Sequence, residues 1–198
     1  MPEFFDVVRS LRGVRYYKPD PVPQAVLEQV LEAATRAPSG SNKQPWRFVV
    51  VRDAATKRAL GELYRRGRAA SYAGEPEAIP AQGPYTFEQD MEHVPVIILP
   101  CMEALPTRGR EVFRGASIYP AVQNLMLAAA AHGLGSRFTT VWQHTGDAVP
   151  KLLGIPDNFE VMGLLPLGYP AAPDHLGGSK RRPVAEVTYF DRWGKTEG

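Results

Sequence analysis

Apolar positions recur along this chain with two different periods. In "PVPQAVLEQVLEAATRA", Val26, Leu27, Val30, Leu31 and Ala34 fall on one face at helical spacing. Pro23 suits the first turn of that helix and Pro38 stops it. "WRFVVV" at 46–51 is a short β-branched run and predicts a buried strand. Asp53 is placed to cap a helix running to about Tyr64. "VPVIILP" at 94–100 predicts a second buried strand, and a long helix follows over roughly 115–132, with Gly133 as its C′ residue. "SRFTTVW" at 136–142 reads as a third strand and "AVPKLLGI" as a short helix. "VMGLLPLGYP" at 161–170 reads as a fourth strand, with Pro166 limiting how it pairs.

Two stretches lack this periodicity. Residues 65–93 are rich in Gly, Ala and Pro and read as a lid-like insertion, a cover over a site. The tail carries "SKRRP" and then, from 184 to 198, an extension beginning "VAEVTYFDRWG" that has no obvious partner inside the domain. Helices and strands interleave without regular βαβ units. The expected class is α+β, a mixed β-sheet flanked by helices, in a single domain over 1–198.

Composition narrows the function. The chain has 198 residues, a 44% apolar fraction and a net charge of +2, so a core can form and bulk nucleic-acid binding is not implied. A single cysteine, Cys101, sits at the end of an apolar run. It reads as a buried thiol and fits a reducing, cytoplasmic setting. No signal-peptide pattern opens the sequence and no apolar stretch is long enough to span a bilayer, so no membrane association is expected. His93, His132, His144 and His175 lack metal-ligand spacing. Gly133-Leu134-Gly135 follows a helix rather than a strand, and Phe138 stands where a dinucleotide fingerprint needs its third glycine. No nucleophile elbow or phosphate-binding P-loop occurs, and no catalytic side chain is assigned.

The remaining groups are scattered. "RGVRYY" offers Arg12 and Arg15, "SKRRP" offers Lys180, Arg181 and Arg182, "PSGSN" offers small residues that let backbone amides approach a ligand, and Thr139 and Thr140 place hydroxyls in an apolar stretch. Arginine suits phosphate because its planar fork bonds it bidentately. Taken singly, each piece has a plainer reading: a solvated basic patch, a helix-to-strand loop, or ordinary β-propensity.

Their order is more specific. Arg-x-x-Arg, a helix, "PSGSNKQPW" before a strand, Gly-Leu-Gly, "LGYP" and a basic "RRP" together resemble the FMN-dependent nitroreductase superfamily, which also holds flavin reductases and iodotyrosine deiodinase. The resemblance runs from about Phe5 to Pro183. It implies an intertwined homodimer with FMN at the interface and terminal segments that wrap the partner. It implies that Pro38, Ser39, Gly40 and Asn42 contact a flavin bound mainly by the other subunit. Arg12, Gly13 and Arg15 match the family's Arg-Ser-x-Arg stretch, with Arg15 toward the flavin ring and Arg12, Lys180 and Arg181 toward the phosphate and ribityl end. Phe138, Thr139 and Thr140 match the strand passing the ring near N5. Ser41, Tyr64 and Trp142 fall on the substrate side.

The implied activity is ping-pong transfer from NADH or NADPH to nitroaromatics, quinones or other flat acceptors. The alternatives are a flavin-sequestering protein with little turnover and a specialised reductase for dehalogenation or a biosynthetic redox step. Leu11 and Gly13 depart from the Arg and Ser the family often carries there. "FTT" is similar to the deiodinase branch, yet its Glu-x-x-x-Tyr is missing: Glu62 is followed four residues later by Arg66.

Overall fold

A strand built around a continuous apolar run needs cover on both faces. Val96–Glu103 (β2) has it in the computed structural model, which describes residues 2–71, 90–104, 115–172 and 174–196. On one edge β2 pairs antiparallel with Trp46–Val51 (β1), in a register that sets Val51 opposite Ile97 and Trp46 opposite Met102. On the other it pairs with Leu165–Gly168 (β5) and then with Phe159–Val161 (β4). Gly135–Ser136 (β3) extends β5, giving the order β1-β2-β5-β3 with β4 beside β2. A parallel bridge between Gly13 and Ser136 makes the sheet mixed, as expected.

Successive β2 side chains point to opposite faces. Val96, Ile98 and Met102 join Leu27, Val30 and Ala34 of Gln24–Thr35 (α2), and Val122, Leu125 and Ala129 of Ile118–Ala131 (α4). Ile97, Leu99 and Cys101 join Leu60 and Tyr64 of Ala54–Ser71 (α3), and Val149 of Ala148–Leu153 (α5). Two helical layers therefore sandwich one sheet. Phe4–Ser10 (α1) sits outside them, burying only Val7.

Asp53 caps α3: its Oδ2 accepts from the Thr56 amide and hydroxyl, both at 2.7 Å, and these bonds hold its carboxyl below the usual range. The helix does not stop near Tyr64. It continues to Ser71, so residues 65–71 of the expected insertion are helical, and Met91–His93 form a 3-10 turn. The rest of that insertion, 72–89, lies outside the described residues. The continuation follows from packing. At Gly67 a β-carbon would fall 2.6 Å from the Val141 carbonyl oxygen, so α3 lies directly against the turn Val141–Thr145.

That turn corrects a second expectation. The stretch 136–142 is not a strand. Only Gly135–Ser136 pairs, Thr139 makes one bridge to Leu164, and the chain then coils into 3-10 geometry. The Phe138 ring occupies the space over Gly163, where a β-carbon would lie 2.1 Å away, and tertiary packing overrides β-propensity here. The stretch 161–170 likewise divides: Val161 ends β4, Met162 still donates to the Pro100 carbonyl of β2 at 2.8 Å, and β5 begins at Leu165. β3 reaches only Leu167 and Gly168, so Pro166 is not asked to donate to it.

Gly67→Ala forces a methyl against backbone that cannot rotate away. The expected loss is about 1–3 kcal/mol, read as a lowered midpoint in denaturant unfolding. An unchanged midpoint would mean that α3 can slide off the Val141 turn.

Candidate functional site

After α1 the chain runs as an extended arm, 11–17, held against the edge of the sheet. Val14 is fully buried and donates to the Ser136 carbonyl at 3.0 Å. The approach requires glycine at 135, where a β-carbon would sit 2.6 Å from Val14 Cγ2. Tyr17 donates its hydroxyl to the Val14 carbonyl at 2.7 Å. Burial pushes that phenol well above its ordinary pKa, with Arg137 pulling back, Asp174 adding to the rise and Arg15 opposing it.

The C-terminal segment closes on the same arm. The Asp174 side chain is 8% exposed. Its Oδ2 accepts from the backbone amides of Arg15 and, at 3.1 Å, Tyr16, while Oδ1 lies 4.0 Å from Arg12 Nη2. Gly177 and Gly178 donate to the Ser10 carbonyl at 2.9 and 2.8 Å. Gly178 has φ +78, and a β-carbon there would meet the Arg9 carbonyl at 2.1 Å, so only glycine allows this return. The return carries Lys180 and Arg181, both exposed, to within a few residues of Ser10 and Arg12. The C-terminal return thereby closes on the N-terminal arm, whose Gly13 and Val14 dock against β3.

The junction holds buried polar atoms with nothing to bond. Arg12 Nε, Arg15 Nε and Ser136 Oγ are shielded from solvent and have no hydrogen-bond partner among the described residues. Buried donors are normally satisfied, so these three are positions where a polar or anionic ligand would find hydrogen bonds.

The other expected residues are distributed differently. In the loop 38–44, Ser39 Oγ accepts from the Gln44 amide at 3.1 Å and the Gly40 amide donates to Ser117 Oγ at 3.4 Å. Ser41, Asn42 and Gln44 all have positive φ, at 51, 53 and 49. Such conformations cost on the order of 1–3 kcal/mol each and cluster at ligand-contacting loops. Pro38, Gly40, Ser41 and Asn42 face outward, and no hydrogen bond among the described residues joins this loop to the arm of its own chain. Phe138 packs edge-on against Tyr119 at 5.8 Å. The Thr139 hydroxyl is bonded to Tyr64 Oη at 2.8 Å, and its backbone pairs with Leu164. Thr140 is half-exposed beside it. Tyr64 is 1% exposed, and Tyr64 and Trp142 both sit in the hydrophobic cluster under α3 rather than on an open face.

Asp174, Ser136 and Arg137 were not legible as site residues. Asp174 acts across 159 positions of chain, and nothing local marks it beyond its place shortly after "LGYP". Asp90, Glu92 and His93 bring ligand atoms within 4.8 Å of one another, but His93 bonds Asp90 and Glu92 bonds Arg58 at 2.7 Å. Burial pushes the Cys101 thiol up to about 11, which suits an inert core residue. No helix among the described residues is long and apolar enough to cross a membrane.

The nitroreductase family model matches residues 8–169. The chain belongs to the nitroreductase family. A protein of Thermus thermophilus named NADH dehydrogenase is 34% identical, over 90% of this chain and 91% of its own. Iodotyrosine deiodinase 1 of Rattus norvegicus is 27% identical over 93% of this chain and 68% of its own. Among solved structures, an oxidized iodotyrosine deiodinase bound to FMN and 3-iodo-L-tyrosine superposes with a TM-score of 0.78 at 25% identity, over 96% of this chain and 100% of that one. A Bacteroides fragilis nitroreductase with bound FMN gives 0.69 at 25% identity, over 92% and 96%. The α+β sheet-and-helix fold expected from the sequence is that of the family.

Asp174→Asn removes the charge that two amides and Arg12 share. A hydrogen bond to a charged group contributes about 1.5–3 kcal/mol, so this variant is expected to lose about that much stability in urea unfolding, with faster amide exchange at Arg15 and Tyr16. Cys101 in the native protein is expected to resist alkylation at neutral pH and to react only after unfolding.

Proposed function

We propose that this protein is an FMN-dependent oxidoreductase that takes electrons from NADH or NADPH and passes them to flat acceptors such as nitroaromatics and quinones. The observation that carries the reading is the trio of unbonded buried atoms, Arg12 Nε, Arg15 Nε and Ser136 Oγ, at the place where the arm meets β3. FMN supplies a phosphate dianion and a ring rich in carbonyl and imine acceptors, which fits these donors. The FMN-bound members of the fold support the same cofactor.

Arg12, Lys180 and Arg181 would hold the phosphate and ribityl end. Gly13 leaves room for close approach and Arg15 would meet the ring. Phe138 flanks it. Of the two threonines, Thr139 is committed to Tyr64 and Leu164, so Thr140 is the residue able to offer its hydroxyl to the ring. When bound, the cofactor supplies the electron transfer, and the protein binds, orients and excludes water.

The site is shared between two copies of the chain. The strained loop carrying Pro38, Ser39, Gly40, Ser41 and Asn42 faces outward from its own protomer and would contact the cofactor of the other. The extension 184–196 presents Val184 at 75% and Trp193 at 88% exposure, side chains that a second subunit would cover. A soluble cytoplasmic homodimer is the corresponding assembly. The deiodinase-like fold favours reductive dehalogenation as a second reading, while Arg66, four residues after Glu62, disfavours a halotyrosine substrate.

Purified protein is expected to be yellow, to release about one FMN per chain on denaturation, and to oxidise NADH or NADPH when a quinone is added. Arg12→Ala is expected to weaken FMN binding about 10- to 100-fold, the worth of one charge-assisted bond. A dimer that is colourless and takes up no added FMN would overturn the reading. Bound FMN without NAD(P)H consumption would instead select the sequestering alternative.

A further inference from the structure

Thr139 has every polar group engaged. Its amide donates to the Leu164 carbonyl at 3.1 Å and its carbonyl accepts from the Leu164 amide at 2.9 Å, which clamps the backbone beside β5. Its hydroxyl is bonded to Tyr64 Oη at 2.8 Å, and the same oxygen accepts from the Val141 amide at 3.4 Å. That second contact spans Thr140. A threonine oxygen that bonds the amide two residues on sets the path of the chain between them. The Thr139 hydroxyl therefore governs how Thr140 is presented. Thr140 leads into the turn Val141–Thr145, its carbonyl accepting from the Gln143 amide at 3.0 Å, and its side chain stays half-exposed.

Tyr64 reaches this point from α3. It is 1% exposed and packs in the cluster that holds Leu60, Met91 and Trp142. The same helix lies against the Val141 carbonyl at Gly67. Phenylalanine at 64 and valine at 139 would fill this space as well. Replacing both members of a buried hydroxyl pair by apolar groups of the same shape is nearly neutral for stability. Packing thus accounts for the ring of Tyr64 but not for the two hydroxyls. What the pair adds is direction: it fixes the Thr139 oxygen where the Val141 amide meets it, and so fixes the residue between them.

We propose that Tyr64 is a positioning residue: by holding the Thr139 hydroxyl it orients Thr140 toward the bound FMN ring, and so helps set the rate at which electrons pass to the acceptor. This rests on the FMN reading above, in which Thr140 offers its hydroxyl to the ring. Tyr64 is buried, so it acts through Thr139 rather than by touching cofactor or acceptor. That role replaces the substrate contact expected of it from the sequence. A misplacement of about 1 Å at a reacting centre costs up to about 100-fold in rate. Here the backbone stays clamped at Leu164, so losing the Tyr64 bond is expected to cost less, about 10-fold.

The test is anaerobic stopped-flow reoxidation of the FMN-loaded, NAD(P)H-reduced protein by menadione, a flat quinone. It gives a limiting rate and a half-saturating concentration for wild type, Tyr64→Phe, Thr140→Val, the pair Tyr64→Phe/Thr140→Val and the pair Tyr64→Phe/Thr139→Val. The expected result for Tyr64→Phe is a limiting rate lowered about 10-fold, with FMN content and half-saturation near wild type. Tyr64→Phe/Thr139→Val is expected to keep the wild-type urea midpoint and still lose rate, a separation that a purely structural role would not produce. In the Thr140→Val background, Tyr64→Phe is expected to cost nothing more, because both act through one group. If Tyr64→Phe alone does not retain FMN, the Tyr64→Phe/Thr139→Val pair carries the measurement. A pair variant that reoxidises at the wild-type rate overturns the inference and leaves the FMN reading intact. Losses from Tyr64→Phe and Thr140→Val that multiply overturn it in the same way, since Tyr64 would then act elsewhere. Wild-type protein that never binds FMN overturns the FMN reading, and the inference with it.

Discussion

The fold depends on one strand being buried on both sides. β2 carries Val96, Ile97, Ile98 and Leu99 in succession, all fully or almost fully shielded. Each such side chain contributes about 1.5–3 kcal/mol on burial, and neither helical layer alone could collect all of them. The strand therefore fixes the architecture: α2 and α4 must cover one face and α3 and α5 the other, and β1, β4 and β5 must satisfy its two edges. Because β2 is held on every side, β5 beside it is held as well, and β3 and the N-terminal arm gain a fixed edge to dock against.

The candidate site is built on that edge and from the chain's two ends. The arm supplies Arg12 and Arg15, the strand supplies Ser136 and Arg137, and the C-terminal return supplies Asp174. Close approach is made possible by glycine at two points, Gly135 beneath Val14 and Gly178 beside the Arg9 carbonyl. Asp174 orders the arm: its carboxylate accepts from the Arg15 and Tyr16 amides and lies beside Arg12. Buried Arg12 Nε, Arg15 Nε and Ser136 Oγ have no partner among the described residues, and a bound anion is the kind of group that would satisfy them.

The loop 38–44 carries a second kind of unfavourable energy. Three non-glycine residues there hold left-handed backbone, and Ser39 and Gln44 lock them in place. The loop is exposed to solvent on its own protomer.

Much of this was legible in the chain. The helical face of Val26, Leu27, Val30, Leu31 and Ala34, the apolar run of β2, the Asp53 cap and the order of "RGVR", "PSGSN", "LGYP" and "RRP" are local patterns, and local patterns follow from side-chain chemistry and backbone period. They determined the layers, the core and the family. What the tertiary structure alone decided depends on contacts between distant residues. It turned 136–142 from a strand into a bridge and a 3-10 turn, because α3 packs through Gly67 onto Val141. It took the Thr139 hydroxyl for Tyr64, buried Trp142, and placed Asp174 on amides 158 and 159 positions away. No period or spacing encodes such proximity, because it arises only when the sheet has closed and the C-terminal return folds back onto the N-terminal arm.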